Sequence, residues 1–150
     1  MDNISAVLVH DMGTGRVKSI GLQGRYDLRE AMDGVVSPFK EAVGLDELSL
    51  RNMGGTDHLS FLPHGVPAFA VVQDEAEYRK THHTASDTFE KVYPDEANQG
   101  AKVLAAWAYN VAMLPDVLPR DPKPAEPNPF DDPQPEPKRS EPKPAIGRGN

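Results

Sequence analysis

The chain has 150 residues and a net charge of −7, and the acidic excess is carried by residues 1–118, with 10 Lys/Arg against 17 Asp/Glu, while residues 119–150 balance 6 against 6. An acidic domain without a basic stripe leaves no electrostatic footprint for nucleic acid. The absence of cysteine removes disulfides, thiolate zinc sites and cysteine nucleophiles together, so any metal must be held by His, Asp or Glu.

No apolar run reaches the roughly 20 residues of a membrane span. The first residues lack the basic-then-apolar order of a secretory signal, but an apolar strand that begins by Ile4 says little about what once preceded it.

Residues 4–9 are short, rich in β-branched side chains and apolar, the pattern of a strand buried on both faces of an α/β sheet. His10-Asp11-Met12 stands at its C-terminal end. Gly13-Thr14-Gly15 supplies turn residues and residues 17–22 alternate, which predicts a hairpin or a short excursion. Asp27 is placed to cap a helix through Leu28, Ala31, Met32 and Val35, with Pro38 ending it or opening another. Residues 39–45 suit a second helical piece, and residues 48–50 a weak strand.

Residues 52–56 read as a loop, and Asp57 as the cap of a short helix over 58–63 that ends near Gly65. Residues 66–72 form a second buried strand. The polar stretch 73–89 is long for a connection, a length at which loops are more often functional than idle. Pro94, Asp95 and Glu96 open the strongest helix, in which Ala97, Ala101, Leu104, Ala105, Ala108, Val111 and Ala112 recur at helical spacing and Trp107 and Tyr109 broaden the apolar face. That breadth predicts flat packing on a sheet. Past Leu118 the composition shifts to Pro, Glu, Lys and Asp, with ten prolines in the last 32 residues, so residues 119–150 are expected to form a disordered, proline-rich tail. A solvated spacer or terminus is the preferred reading of that tail over a docking peptide.

Three short segments carry chemistry: His10-Asp11-Met12-Gly13; Gly54-Gly55-Thr56-Asp57-His58 with Gly65-Val66-Pro67; and His82-His83-Thr84-Ala85-Ser86-Asp87-Thr88. Singly each is weak. A carboxylate at the end of a buried strand lies where open α/β sheets place ligands, yet an Asp there also caps turns. A His-His pair in a loop is an ordinary partly exposed feature.

Together, in this order, they resemble the two-zinc exopeptidases, a family that includes bacterial leucyl aminopeptidases and carboxypeptidase Q and, more distantly, prostate-specific membrane antigen and glutaminyl cyclase. The likeness runs from about residue 5 to residue 120 and is nearest the carboxypeptidase Q branch. It implies an α/β fold, part of a three-layer α/β/α sheet, with residues 1–118 forming the C-terminal part of a di-zinc peptidase catalytic domain. It also implies two zinc ions and a peptide substrate.

Carried over by motif, Asp11 matches the terminal carboxylate ligand of one zinc and His83 the imidazole ligand of the other, while His82 matches no ligand. Asp57 falls beside the metals, where carboxylates orient ligands and bind substrate. Asp87 suits a cap of the following turn, with a place near the metals as the other reading. The family's His-x-Asp and Glu-Glu segments have no counterpart here, so no catalytic base is expected within the chain, which is predicted inert by itself. The alternatives are a non-catalytic binding or structural module on the same fold and, more weakly, a single-zinc acyltransferase. Relatives of this kind are commonly exported, which leaves the compartment open, with a periplasmic or extracellular location as one reading for the full-length protein.

Overall fold

The structure, a computed structural model, describes residue 1 and residues 3–120, so the predicted tail lies outside the described residues from residue 121 onward. The fold is of the α/β class. Strands β1 (Val7–Val9), β2 (Val17–Gly21) and β3 (Ala68–Gln73) form one mixed sheet in the order β1-β3-β2. The helices are α1 (Arg29–Val36), α2 (Lys40–Val43), α3 (Tyr78–Thr81) and α4 (Pro94–Ala112). No helix among the described residues is long and apolar enough to cross a membrane.

The expected hairpin between β1 and β2 does not form. Instead β3 lies between them, parallel to β1 with Leu8 opposite Phe69, and antiparallel to β2 with Ile20 opposite Val71. Residues 48–50 make only an isolated bridge, Gly21 to Ser49. The strand expected to be buried, β1, is half-buried, because it pairs on one side alone among the described residues.

Alternation along β3 sends Phe69 and Val71 to one face, where they join Ile20, Leu28, Met32, Val35, Val103 and Trp107 in the main core. Phe69 and Trp107 meet edge to face, with ring centroids 6.2 Å apart, the arrangement that aromatic quadrupoles favour. The helix α1 buries Met32, Val35 and Val36 as its spacing predicts, but Asp27 does not cap it. The Asp27 carboxylate is taken by Arg25, whose two N–H groups reach it at 2.8 and 2.7 Å.

Helix α4 covers the sheet with a face one step round from the expected one. Gln99, Gly100, Val103, Trp107 and Val111 are buried, whereas Ala101, Ala105, Ala108 and Ala112 are exposed and Tyr109 is 66% exposed. Alanines recur at helical spacing without burying much area, so the bulkier Val103 and Trp107 decide the orientation. At the chain's other end Leu118 is buried and its N–H donates to the Ser5 hydroxyl at 3.2 Å. Arg25 donates to the Pro119 carbonyl at 2.9 Å, so contacts with the folded unit continue past Leu118.

This orientation is testable. Val103→Ala should cost about 2 kcal/mol by loss of buried area and a residual cavity, while Ala105→Gln should stay within about 0.5 kcal/mol. Urea denaturation that reversed the two would show that the Ala105 face is the buried one.

Candidate metal centre

Because β1 and β3 run parallel, the segments that follow them leave from the same edge of the sheet. Asp11 lies two residues past β1, and its Oδ2 accepts the Thr56 hydroxyl at 2.6 Å. Thr56 immediately precedes the 3-10 turn Asp57–Ser60, where Asp57 occupies the first helical position rather than the cap. This turn packs against β1 and β3. It is anchored behind by His58, which is fully buried with Nε2 3.0 Å from the Met53 carbonyl oxygen. Gly65 then closes the following 3-10 turn, Leu62–His64, in the left-handed conformation at φ 70°, as expected.

Past β3 the chain turns through α3, which is followed directly by His82 and His83. His83 has φ 56°, unusual for a residue with a side chain and sustained only where the surroundings over-determine it. The bracing is visible. The Thr84 hydroxyl donates to Thr81 O at 2.7 Å and the Ser86 hydroxyl to Lys80 O at 3.0 Å, drawing the loop back onto α3. The His82 ring lies tilted against Tyr78 with centroids 4.7 Å apart and meets the His83 ring edge to face at 3.8 Å.

Asp11, Asp57, His83 and Asp87 all line one open cavity of about 410 Å³. Asp87 does not cap the next turn, since Thr88 holds that position. The local charge is felt by neighbours: burial, and then the Asp11 carboxylate, push the Tyr78 hydroxyl up from its ordinary value. The imidazole of His10 is pushed down by burial, against opposing contributions from its own backbone and from Asp11. Among the described residues no group of three or more His, Cys, Asp or Glu side chains is arranged to hold a metal ion. The donor types suit zinc, a carboxylate and an imidazole in a mixed N/O set, but a closed site needs three or four protein ligands.

The model for peptidase family M28 matches residues 1–108. The chain belongs to that family. Carboxypeptidase Q from Bos taurus is 30% identical over 118 residues, covering 79% of the chain and 25% of that protein. Carboxypeptidase Q from Mus musculus is 36% identical over 116 residues, 77% of the chain and 24% of that protein. The Homo sapiens protein is 29% identical over 120 residues, 80% of the chain and 25% of its own length. The chain thus spans about a quarter of the length of these relatives. No solved structure matches it.

In this M28 chain the residue that motif reading passes over is Gln73, the last of β3, buried and with both polar atoms of its side chain hydrogen-bonded. Its Oε1 accepts the Met12 N–H at 3.1 Å, and its Nε2 donates to Gly13 O at 3.1 Å and Gly15 O at 2.8 Å. The backbone on both sides of the turn after Asp11 is therefore held by one side chain. The available signal was a Gln closing an otherwise apolar strand, a place where a buried amide has to find partners. Gly15 is needed for a second reason: a Cβ there would stand 1.9 Å from the Asp74 carbonyl oxygen.

Gln73→Leu is accordingly expected to cost about 2–3 kcal/mol by leaving backbone groups unpaired. Gly15→Ala should cost at least about 2 kcal/mol by forcing two backbones apart. Urea denaturation with midpoints at the wild-type value for either variant would show that the Asp11 loop is not held in this way.

Proposed function

We propose that this chain is the C-terminal part of an M28 catalytic domain and supplies two of the ligands of a two-zinc exopeptidase centre. In this reading Asp11 is the terminal ligand of one zinc and His83 of the other, with Asp57 and Asp87 placed to orient ligands and substrate. The observation that carries it is the convergence of Asp11 and His83 on one cavity from the two parallel strand ends. Family membership over residues 1–108 and coverage of only a quarter of the carboxypeptidase Q relatives support the rest. The helical layer on the Phe69 face is then one side of a three-layer α/β/α sheet, with the unpaired edge of β1 continuing into further strands.

A pair of zinc ions, when bound, supplies a polarised carbonyl and a bound water of lowered pKa. The chain's own residues fix the geometry. The Thr56 hydroxyl occupies one lone pair of Asp11 Oδ2 and so fixes the carboxylate's orientation, leaving Oδ1 and the other lone pair of Oδ2 for a metal. The brace around His83 presents its imidazole from a fixed backbone. A base to accept the proton from water is absent from the matched motifs, so hydrolysis needs a Glu from outside this chain. The activity proposed is removal of a terminal residue from a peptide, with the isolated chain inert.

The test has two arms. Residues 1–150 supplied with zinc should give no exopeptidase turnover above a zinc-only control. In a longer protein that adds the missing ligands and base, Asp11→Ala and His83→Ala should each lower kcat by more than the roughly 10–100-fold lost with outer partners of metal ligands, and His82→Ala by less than about tenfold. Chelator-sensitive hydrolysis by the isolated chain, or an inactive His82→Ala beside an active His83→Ala, would overturn the assignment.

A further inference from the structure

Helix α4 carries a second apolar face. Ala101, Ala105, Tyr109 and Met113 follow one another at four-residue spacing, all of them exposed, Tyr109 and Met113 by 66% each. Side chains four apart lie one above the other on a helix, and the helical conformation carries through Met113. Ala105 and Tyr109 each stand two residues past a buried one, Val103 and Trp107. Two residues turn a helix by about 200°, so this face points away from the sheet. Val117, 57% exposed, continues the apolar surface past the helix end. Large apolar side chains gathered on one surface mark a contact site.

The face is complementary to itself. A second copy laid antiparallel across a twofold axis sets Ala105 against Tyr109 and Ala101 against Met113, and the axis repeats each contact in reverse. Every bulky side chain then meets an alanine. The charges agree with this register. Lys102 and Asp116 are exposed, and neither makes an ion pair or hydrogen bond with another described residue. In the antiparallel pair Lys102 of one copy stands about one helical turn, roughly 5 Å, from Asp116 of the other, within reach of a lysine side chain. Strands added at the open edge of β1 would lie in the plane of the sheet, from which this face is turned away, and no residue of the face lines the Asp11 cavity.

We infer that this outer face of α4 is a docking surface for a second copy of the chain, the two helices packing antiparallel about a twofold axis. The inference stands apart from the zinc reading. The contact runs from Ala101 to Met113, about 18 Å of helix, which places it at the low end of specific interfaces. A dissociation constant on the order of 10–100 µM is therefore expected.

The experiment is sedimentation equilibrium of the full 150-residue chain without metal, from on the order of 1 µM to 500 µM. Wild type should pass from monomer to dimer within that range. Ala105→Gln, whose side chain would fill the space Tyr109 of the other copy needs, should weaken the dimer at least about tenfold, with its urea midpoint still near wild type. Lys102→Glu should weaken it by about tenfold, because symmetry turns two attractions into repulsions. Adding Asp116→Lys should bring the double variant back to within about threefold of wild type. Phe89→Ser, which removes an apolar side chain 86% exposed outside α4, should leave the dimer unchanged.

A chain that stays monomeric across the whole range would overturn the inference. So would a dimer that persists in Ala105→Gln or is lost in Phe89→Ser, since either places the contact elsewhere on the chain. A loss in Lys102→Glu that Asp116→Lys does not repair would overturn the antiparallel pairing. Since no metal is present, each of these outcomes leaves the zinc reading standing, and failure of Asp11 and His83 as ligands leaves the sedimentation result unaffected.

Discussion

The arrangement depends on the parallel pairing of β1 with β3. Parallel strands deliver their C-terminal ends to one edge, and the connection between these two runs through β2, α1 and α2 before returning. Segments some seventy residues apart in the chain, Asp11 and His83, are thereby brought to one cavity. An antiparallel pairing of the same two strands would have sent them to opposite ends of the sheet. The third wall, Thr56 and Asp57, reaches the same edge because the turn that leads into β3 packs back across both strands.

Irregular backbone at such an edge creates a hydrogen-bonding problem, since loop amides and carbonyls near the core need partners. Two buried glutamines solve most of it. Gln73 takes Met12, Gly13 and Gly15, and Gln99, from helix α4, accepts from Val17 N at 3.0 Å and donates to Val17 O at 2.9 Å and Val43 O at 3.1 Å. Thr14 adds a third tie, its hydroxyl accepting the Tyr93 N–H at 3.1 Å. The turn after Asp11 is thus secured by β3 and by the segment that leads into α4, while α4 itself ties down the start of β2. Its shape is set by tertiary partners, which is a sound way to aim a carboxylate that needs a single direction.

Acidic side chains gather where Asp11, Asp57 and Asp87 line the cavity with His83. Across the wall shared by Tyr78 and His82, Glu75 is held by Arg79 and its ionised form is further favoured by Arg51.

The sequence by itself determined the α/β class, the strands near residues 4–9 and 66–72, the helix after Pro94 and the family, because apolar runs, helix-start residues and the ordered Asp11, Thr56-Asp57 and His83 motifs are local signals. It also singled out Asp11, Asp57, His83 and Asp87, all of which line one cavity. What it left undecided depended on contacts between distant residues. The Gly13-Thr14-Gly15 turn looks like a hairpin until β3 is seen to occupy the place beside β1. The alanine stripe of α4 is as regular as the buried one, and only the space taken by Val103 and Trp107 chooses between them. Gln73 belongs to no motif. It matters through three backbone groups across the sheet edge, a relation that does not exist until the tertiary structure sets which groups lie within reach.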